Sequence, residues 1–223
     1  MQCQTLTLDC VEIKLCTELI CLGVVFNYEL TFAVYIRRLA GKCFYHLRQL
    51  RTGRRTPTKD AAKTVVHAII TSRVDYCNNV FNNASGVHLY PLQSVLHAAA
   101  REITWKRMYD HISATIRDQL HWLPVKERID RKLCTFIYKC LHNMAPVYLS
   151  DMCISVSSIS DRSSLLSATY GDLWHRRIRT KTFDPRVLRC WDIPCNSSRS
   201  STDMRTLFCS KLKSIMFNRA YIA

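Results

Sequence analysis

Apolar residues recur at steps of three or four along most of this chain, and that period predicts helices. Phe32, Ile36, Leu39, Ala40, Cys43, Leu47 and Leu50 share one helical face, which predicts a helix over 31–52. Ala61, Ala62, Val65, Val66, Ile69 and Ile70 predict a second, with Thr58 as its cap just after Pro57. That helix either runs on to 83 or breaks, because Asn78, Asn79, Asn82 and Asn83 are poor helix formers. Pro91 suits a helix start, and Leu92, Val95, Leu96, Ala99 and Ile103 make a third stripe. Ala98, Ala99 and Ala100 let a neighbour approach closely, whereas Glu102 beside the stripe is expected to weaken packing. Asp110 is placed to cap a fourth helix with Ile112, Ile116 and Leu120 on one face. His121-Trp122-Leu123 reads as a hinge, with Pro124 at the first turn of a fifth helix. Ile129, Leu133, Phe136, Ile137, Cys140, Leu141 and Met144 give that helix the cleanest apolar stripe, and Val147-Tyr148-Leu149 is expected to pack back on the bundle. A last helix from about Asp203 carries Met204, Leu207, Phe208, Leu212, Ile215 and Met216.

The N-terminus follows a different period. Val11, Ile13 and Leu15 alternate with Glu12 and Lys14, and Ile20 to Phe26 is a short apolar run followed by an Asn27-Tyr28 turn. These predict two strands paired as a hairpin. Serines crowd 155–167, and Arg176, Arg177, Arg179 and Lys181 form a basic run. The expected fold is mainly α: a bundle of five to six helices with a small N-terminal β-hairpin and an irregular C-terminal extension. The expected organisation is a hairpin at 1–29, a helical bundle at 30–149, a basic, Ser-rich linker at 150–202 and a terminal helix at 203–223.

Charge then narrows the partners. In 223 residues, Lys plus Arg number 32 and Asp plus Glu 17, a net +15 that favours an anionic partner. Hydrophobic residues make up 48% of the chain, enough for a packed core. The longest apolar run, Ile20 to Phe26, is too short to span a bilayer, so no membrane partner is expected. The 12 cysteines follow no basic-then-apolar leader in residues 1–10, so reduced thiols and a nuclear or cytoplasmic location are expected. The nearest approaches to zinc spacing are Cys190-x4-Cys195 and Cys134-x5-Cys140-x-His142, both looser than usual zinc ligand pairs. No metal, cofactor or small-molecule substrate is expected.

The charge is concentrated around the first helix pair. Arg37, Arg38, Lys42, Arg48, Arg51, Arg54, Arg55 and Lys59 fall in a stretch without one acidic residue between Glu29 and Asp60. These eight cations are the candidate contacts to a phosphate backbone. The same pattern also fits a core helix pair with a solvated basic face. Catalytic chemistry is not legible. There is no Asp-Asp dipeptide, glycine-rich phosphate loop, G-x-S-x-G or H-E-x-x-H, and Tyr170-Gly171-Asp172-Leu173 offers a single carboxylate. Asp75 reads as a structural hydrogen-bonding group, and His121 as a packing residue at a helix junction.

Several segments, in order, resemble the C-terminal part of the reverse transcriptase of LINE-type (non-LTR) retrotransposons, in the jockey-like and related clades. They are Leu22-Gly23-Val24-Val25-Phe26 with Leu30-Thr31-Phe32, then Thr71-Ser72-Arg73-Val74-Asp75-Tyr76-Cys77-Asn78, Leu92-Gln93 and Ala98-Ala99-Ala100-Arg101. Leu120-His121-Trp122-Leu123-Pro124-Val125, Arg128-Ile129, Lys132, Tyr138-Lys139 and Ala145-Pro146 with Tyr148-Leu149 follow. The likeness runs from about Leu22 to the C-terminus, with gaps after Pro185. It departs at Asn27, where the family commonly has Asp, at Glu102, where it has an apolar residue, and around Arg189-Cys190-Trp191-Asp192-Ile193-Pro194, which is shortened. The resemblance implies the end of the palm, the thumb and a C-terminal extension of an RNA-directed DNA polymerase, without the palm aspartates. It implies a non-enzymatic fragment that binds template–primer, an RNA–DNA hybrid or duplex, without sequence preference. The alternative is a helical protein-interaction module, or a relic, with no nucleic-acid role.

Overall fold

The computed structural model describes residues 5–8, 11–14, 16–27, 29, 31–53, 58–151, 153–154, 158–159, 164 and 201–221. The chain is mainly helical. Four long helices dominate: α1 (Ala33–Thr52), α4 (Gly86–Thr104), α6 (Val125–Leu141) and α8 (Ser201–Tyr221). Shorter pieces are α2 (Lys59–Val66), α3 (Ser72–Asp75), α5 (Ser113–Thr115) and α7 (Val147–Ser150). The expected linker at 150–202, and with it Tyr170, Asp172, Cys190 and Cys195, lies almost wholly outside the described residues.

The N-terminal β structure is two hairpins rather than one. β1 (Thr5–Leu8) pairs antiparallel with β2 (Val11–Lys14), and β3 (Glu18–Cys21) with β4 (Val24–Asn27). The apolar run 20–26 is therefore not one strand. It folds back at Leu22-Gly23, whose φ values of 48° and 80° make the two-residue reversal that matches strand twist. Tyr28 of the expected Asn27-Tyr28 turn lies outside the described residues, and Asn27 forms a polar clip to Thr31. Asn27 Oδ1 accepts from the Thr31 backbone N–H at 3.0 Å, and Asn27 Nδ2 donates to Thr31 Oγ1 at 2.9 Å.

That clip delivers the chain to α1 through Phe32, which sits at φ 54°. A left-handed phenylalanine costs roughly 1–2 kcal/mol, and burial of its ring offsets the cost. Phe32 lies edge-on to Phe26 (5.4 Å) and to Phe81 (5.8 Å). The α1 stripe is buried as its spacing predicts: Ile36, Leu39, Ala40, Cys43 and Leu47 all face the core, and Leu50 half-buries beside them. They pack chiefly along α4, where Ala99 and Ala100 are fully buried and give the close approach expected of small residues.

Thr58 caps α2 as expected, accepting from the Ala61 N–H at 3.3 Å. After α2 the helix widens into a π turn over His67–Thr71 and closes as α3. The wider turn keeps Val66, Ile70 and Val74, spaced by four, on one buried face. The helix ends where Tyr76 turns extended, and after Cys77, at φ 49°, the asparagine-rich stretch forms a 3₁₀ segment over Asn78–Asn83.

Three helix boundaries differ from expectation. α4 begins at Gly86, so Pro91 lies inside it. The carbonyl that Pro91 leaves without a helical partner belongs to Val87, which is solvent-exposed and can be met by water. Asp110 does not cap a helix. Its Oδ2 accepts from the Arg107 N–H at 2.7 Å and closes a turn, and α5 starts later, at Ser113. α6 is buried on a broader arc than its apolar stripe, because α8 covers a second side. Phe208, Leu212 and Met216 of α8 bury against Cys134, Tyr138 and Leu123, with Tyr138 stacked on Phe208 at 4.0 Å. Phe136, expected in the core, is left near the surface, as is Ile215 of α8. Val147 and Tyr148 are exposed, and only Leu149 of the expected return segment half-buries. The cysteines among the described residues are free thiols, and Cys134 and Cys140 are buried.

Two histidines on this frame carry a pH expectation. Burial, and then Arg128 and Lys63, hold His67 below its usual 6.5. Burial and then Arg101 do the same for His97. His97 Nε2 accepts from Gln93 Nε2 (2.8 Å), whose Oε1 accepts the first N–H of α6 from Val125 (2.9 Å). The unfolded chain takes up these protons near pH 6.5, the folded chain only at lower pH. The stability from the neutral rings is therefore complete above about pH 6.5 and declines as the pH falls below it. The urea midpoint is expected to drop between pH 7.5 and 5.5, and His67→Gln with His97→Gln to shrink that drop. An unchanged pH dependence in the double variant would assign it to other groups.

Candidate nucleic-acid interface

A helix turns 100° per residue, so the buried α1 stripe leaves an outer face of two rows. One row holds Arg37, Phe44, Arg48 and Arg51; the other holds Arg38, Lys42, Tyr45 and Gln49. All eight side chains are exposed, and no acidic residue lies on this helix. From Arg37 to Arg51 the face runs about 21 Å along the axis, at roughly 1.5 Å per residue. Lys59 is exposed at the start of α2. Arg54 and Arg55 lie outside the described residues.

Tertiary contacts change the charge balance from that of the isolated stretch. Two of the six described candidates are neutralised by acids from far away in sequence. Arg38 Nη1 pairs with Glu18 Oε2 of β3 at 3.0 Å, and Arg51 Nε with Glu102 Oε2 of α4 at 3.2 Å. The local sequence lacks acids, but the fold brings Glu18 and Glu102 to these cations. Glu102 is buried, but its carboxylate is bonded to Arg51, so it is not an unpaired charge in the core. Arg37, Lys42, Arg48 and Lys59 have no acidic partner among the described residues.

Three contributors lie outside the eight cations expected from the sequence. Phe44 is 39% and Tyr45 58% exposed between the cations, which gives the basic face two ring surfaces. Arg73 of α3 reaches the flank of α1, where its Nη1 donates to His46 Nε2 at 2.6 Å. Burial pushes the Cys43 thiol up, and the nearby Arg73 charge partly opposes that. Periodicity could have flagged Phe44 and Tyr45, because both fall off the apolar stripe. Nothing in the local sequence places Arg73 there.

Asp75 has the structural role expected of it. Both its carboxylate oxygens accept from Arg128 Nη1, at 3.0 and 3.3 Å. Arg128 Nε also donates to the Leu123 carbonyl at 2.7 Å, and its guanidinium lies 5.7 Å from the Trp122 ring centre. Trp122 is buried, and its carbonyl accepts from Tyr221 Oη of α8 at 2.7 Å. His121 sits at φ 49° with its ring 6.0 Å from Phe217, at the junction leading into α6.

No described helix is long and apolar enough to cross a membrane. Comparison with protein-family models, curated proteins and solved structures finds no match for this chain.

Proposed function

We propose that this chain is the thumb-like and C-terminal segment of a LINE-type reverse transcriptase. Its activity is non-catalytic, non-sequence-specific binding of template–primer duplex. One observation carries the binding reading: the outer face of α1 presents Arg37, Lys42 and Arg48 without acidic partners among the described residues. A rigid helix holding cations at fixed spacing suits a phosphate backbone, which is gripped by charge and shape rather than by base edges. The resemblance set out above supports the family assignment, and the absence of an Asp-Asp pair supports a role without polymer synthesis.

Fluorescence anisotropy with an RNA–DNA hybrid across a salt series tests the reading. Four to six phosphate contacts predict a log–log salt slope of about −4 to −5. Replacing Arg37, Lys42 and Arg48 with glutamine is expected to flatten that slope by about 2–3 units, equally on unrelated sequences. Arg38→Gln should change it less, because Glu18 already pairs with that side chain. A triple variant with the wild-type slope and affinity would leave the face merely solvated.

A second reading has its own observation. Trp105, Met108 and Tyr109 stand exposed in the turn after α4, an apolar cluster that suits a protein partner. Duplex binding that vanishes at physiological salt would favour it.

A further inference from the structure

At the C-terminal end of α6 two thiols meet. The Cys153 thiol is hydrogen-bonded to the Cys140 thiol. Cys140 belongs to the last turn of α6 and is 7% exposed, whereas Cys153, beyond α7, is half-buried. Backbone bonds fix the path between them. The Met144 N–H donates to the Lys139 carbonyl at 2.8 Å and closes the end of α6. The Asp151 N–H donates to the Val147 carbonyl at 2.9 Å and the Cys153 N–H to the Ser150 carbonyl at 2.9 Å, so α7 and the turn after it bring Cys153 back to α6. Packing adds little to hold this return in place. No residue of α7 is buried, and Val147 and Tyr148 are exposed.

Two thiols already in contact need little rearrangement to be bonded to each other. We propose that Cys140 and Cys153 are a redox-responsive pair, which oxidised glutathione converts to an intramolecular disulfide that anchors α7 to α6. Cys153 is the more accessible sulfur and reacts first. Its thiolate attacks oxidised glutathione and expels one glutathione thiolate, leaving a mixed disulfide. The Cys140 thiolate then attacks the Cys153 sulfur and expels the second glutathione. Two protein thiols are oxidised, one disulfide is reduced to two glutathione thiols, and the two protons pass through water to the glutathione sulfurs. Burial, and then the Cys140 thiol, push the Cys153 thiol up to about 11. The thiolate is the attacking form, so the first step is slow at neutral pH and quickens about tenfold per pH unit above it. No residue of the α1 face takes part, so the duplex reading can fail without touching this one.

The test incubates the reduced full chain with oxidised glutathione, alkylates the remaining thiols and digests with trypsin. No lysine or arginine lies between Cys140 and Arg162, so both cysteines fall in one tryptic peptide, Cys140–Arg162. Mass spectrometry is expected to find that peptide lighter by two hydrogens and unalkylated. A further cut before Asp151 should leave its two halves joined. Cys140→Ser should instead retain glutathione on Cys153. Cys153→Ser should leave Cys140 reduced, because Cys140 is buried. Amide hydrogen exchange at Asp151 and Cys153 is expected to slow about tenfold once the link forms. In urea the same treatment should spread links over other cysteines, because the fold sets this pair together. Glutathione retained on Cys153 of the wild type, a link formed just as selectively in urea, or exchange unchanged by the link would each overturn the proposal. The mass comparison uses wild-type protein, so it decides the matter even if a serine variant does not fold.

Discussion

Phe81→Ala is expected to destabilise the protein by about 3–5 kcal/mol, the range for removing a fully buried phenylalanine. Phe81 is 0% exposed and sits where three elements meet. Its ring lies 5.8 Å from Phe32, at the entry to α1, and 5.7 Å from Tyr35 in the first turn. Phe32 in turn meets Phe26 of β4, so the ring cluster joins the hairpin, α1 and the 3₁₀ segment. Collapse around the lost ring is resisted, because Phe32 is fixed in a left-handed backbone and Phe81 already borders a cavity of about 420 Å³. For a chain of this size the loss corresponds to roughly 6–20 °C in melting temperature. Thermal and urea unfolding measure it. Phe81→Leu, which keeps much of the volume, should cost about 1–2 kcal/mol and remain folded. Equal stabilities for wild type and both variants would remove Phe81 from the core.

Arg128→Met is expected to cost about 2–4 kcal/mol. The side chain of Arg128 is 10% exposed and that of Asp75 35%, so the pair is half inside the protein. Removing the guanidinium strands the Asp75 carboxylate and leaves the Leu123 carbonyl without its donor. It also removes the cation beside Trp122. Full burial would put the cost at the upper end, and the water-facing edge of Asp75 moderates it. The double variant Arg128→Met with Asp75→Asn should lose less than the sum of the two singles, because no charge is then stranded. Urea unfolding of the four proteins gives the coupling. Strict additivity would mean that the two side chains, though in contact, do not depend on each other.

These two sites show how far sequence reasoning reached. The α1 stripe from Ile36 to Leu47 was legible because helical periodicity is a local property, and each residue in it is buried. The Thr58 cap was legible for the same reason, since its donor lies three residues away. The boundaries at Gly86 and Ser113 were not, because proline and aspartate have more than one use near a helix end. Pro91 sits inside α4 over an exposed carbonyl, and Asp110 closes a turn. The second buried side of α6 was hidden for a different reason. Cys134 and Tyr138 need a covering partner, and α8 lies more than 60 residues farther along the chain.

By itself, then, the sequence determined the helical class, the inward face of α1 and the outward exposure of Arg37, Lys42 and Arg48. Each depends only on the 3.6-residue turn and on the free energy of removing apolar side chains from water. The tertiary structure alone decided which cations keep their charge uncompensated. Glu18 and Glu102 reach Arg38 and Arg51 across 20 and 51 residues of sequence, and Asp75 reaches Arg128 across 53. Ion pairing acts over a few ångströms in space, whatever the separation along the chain.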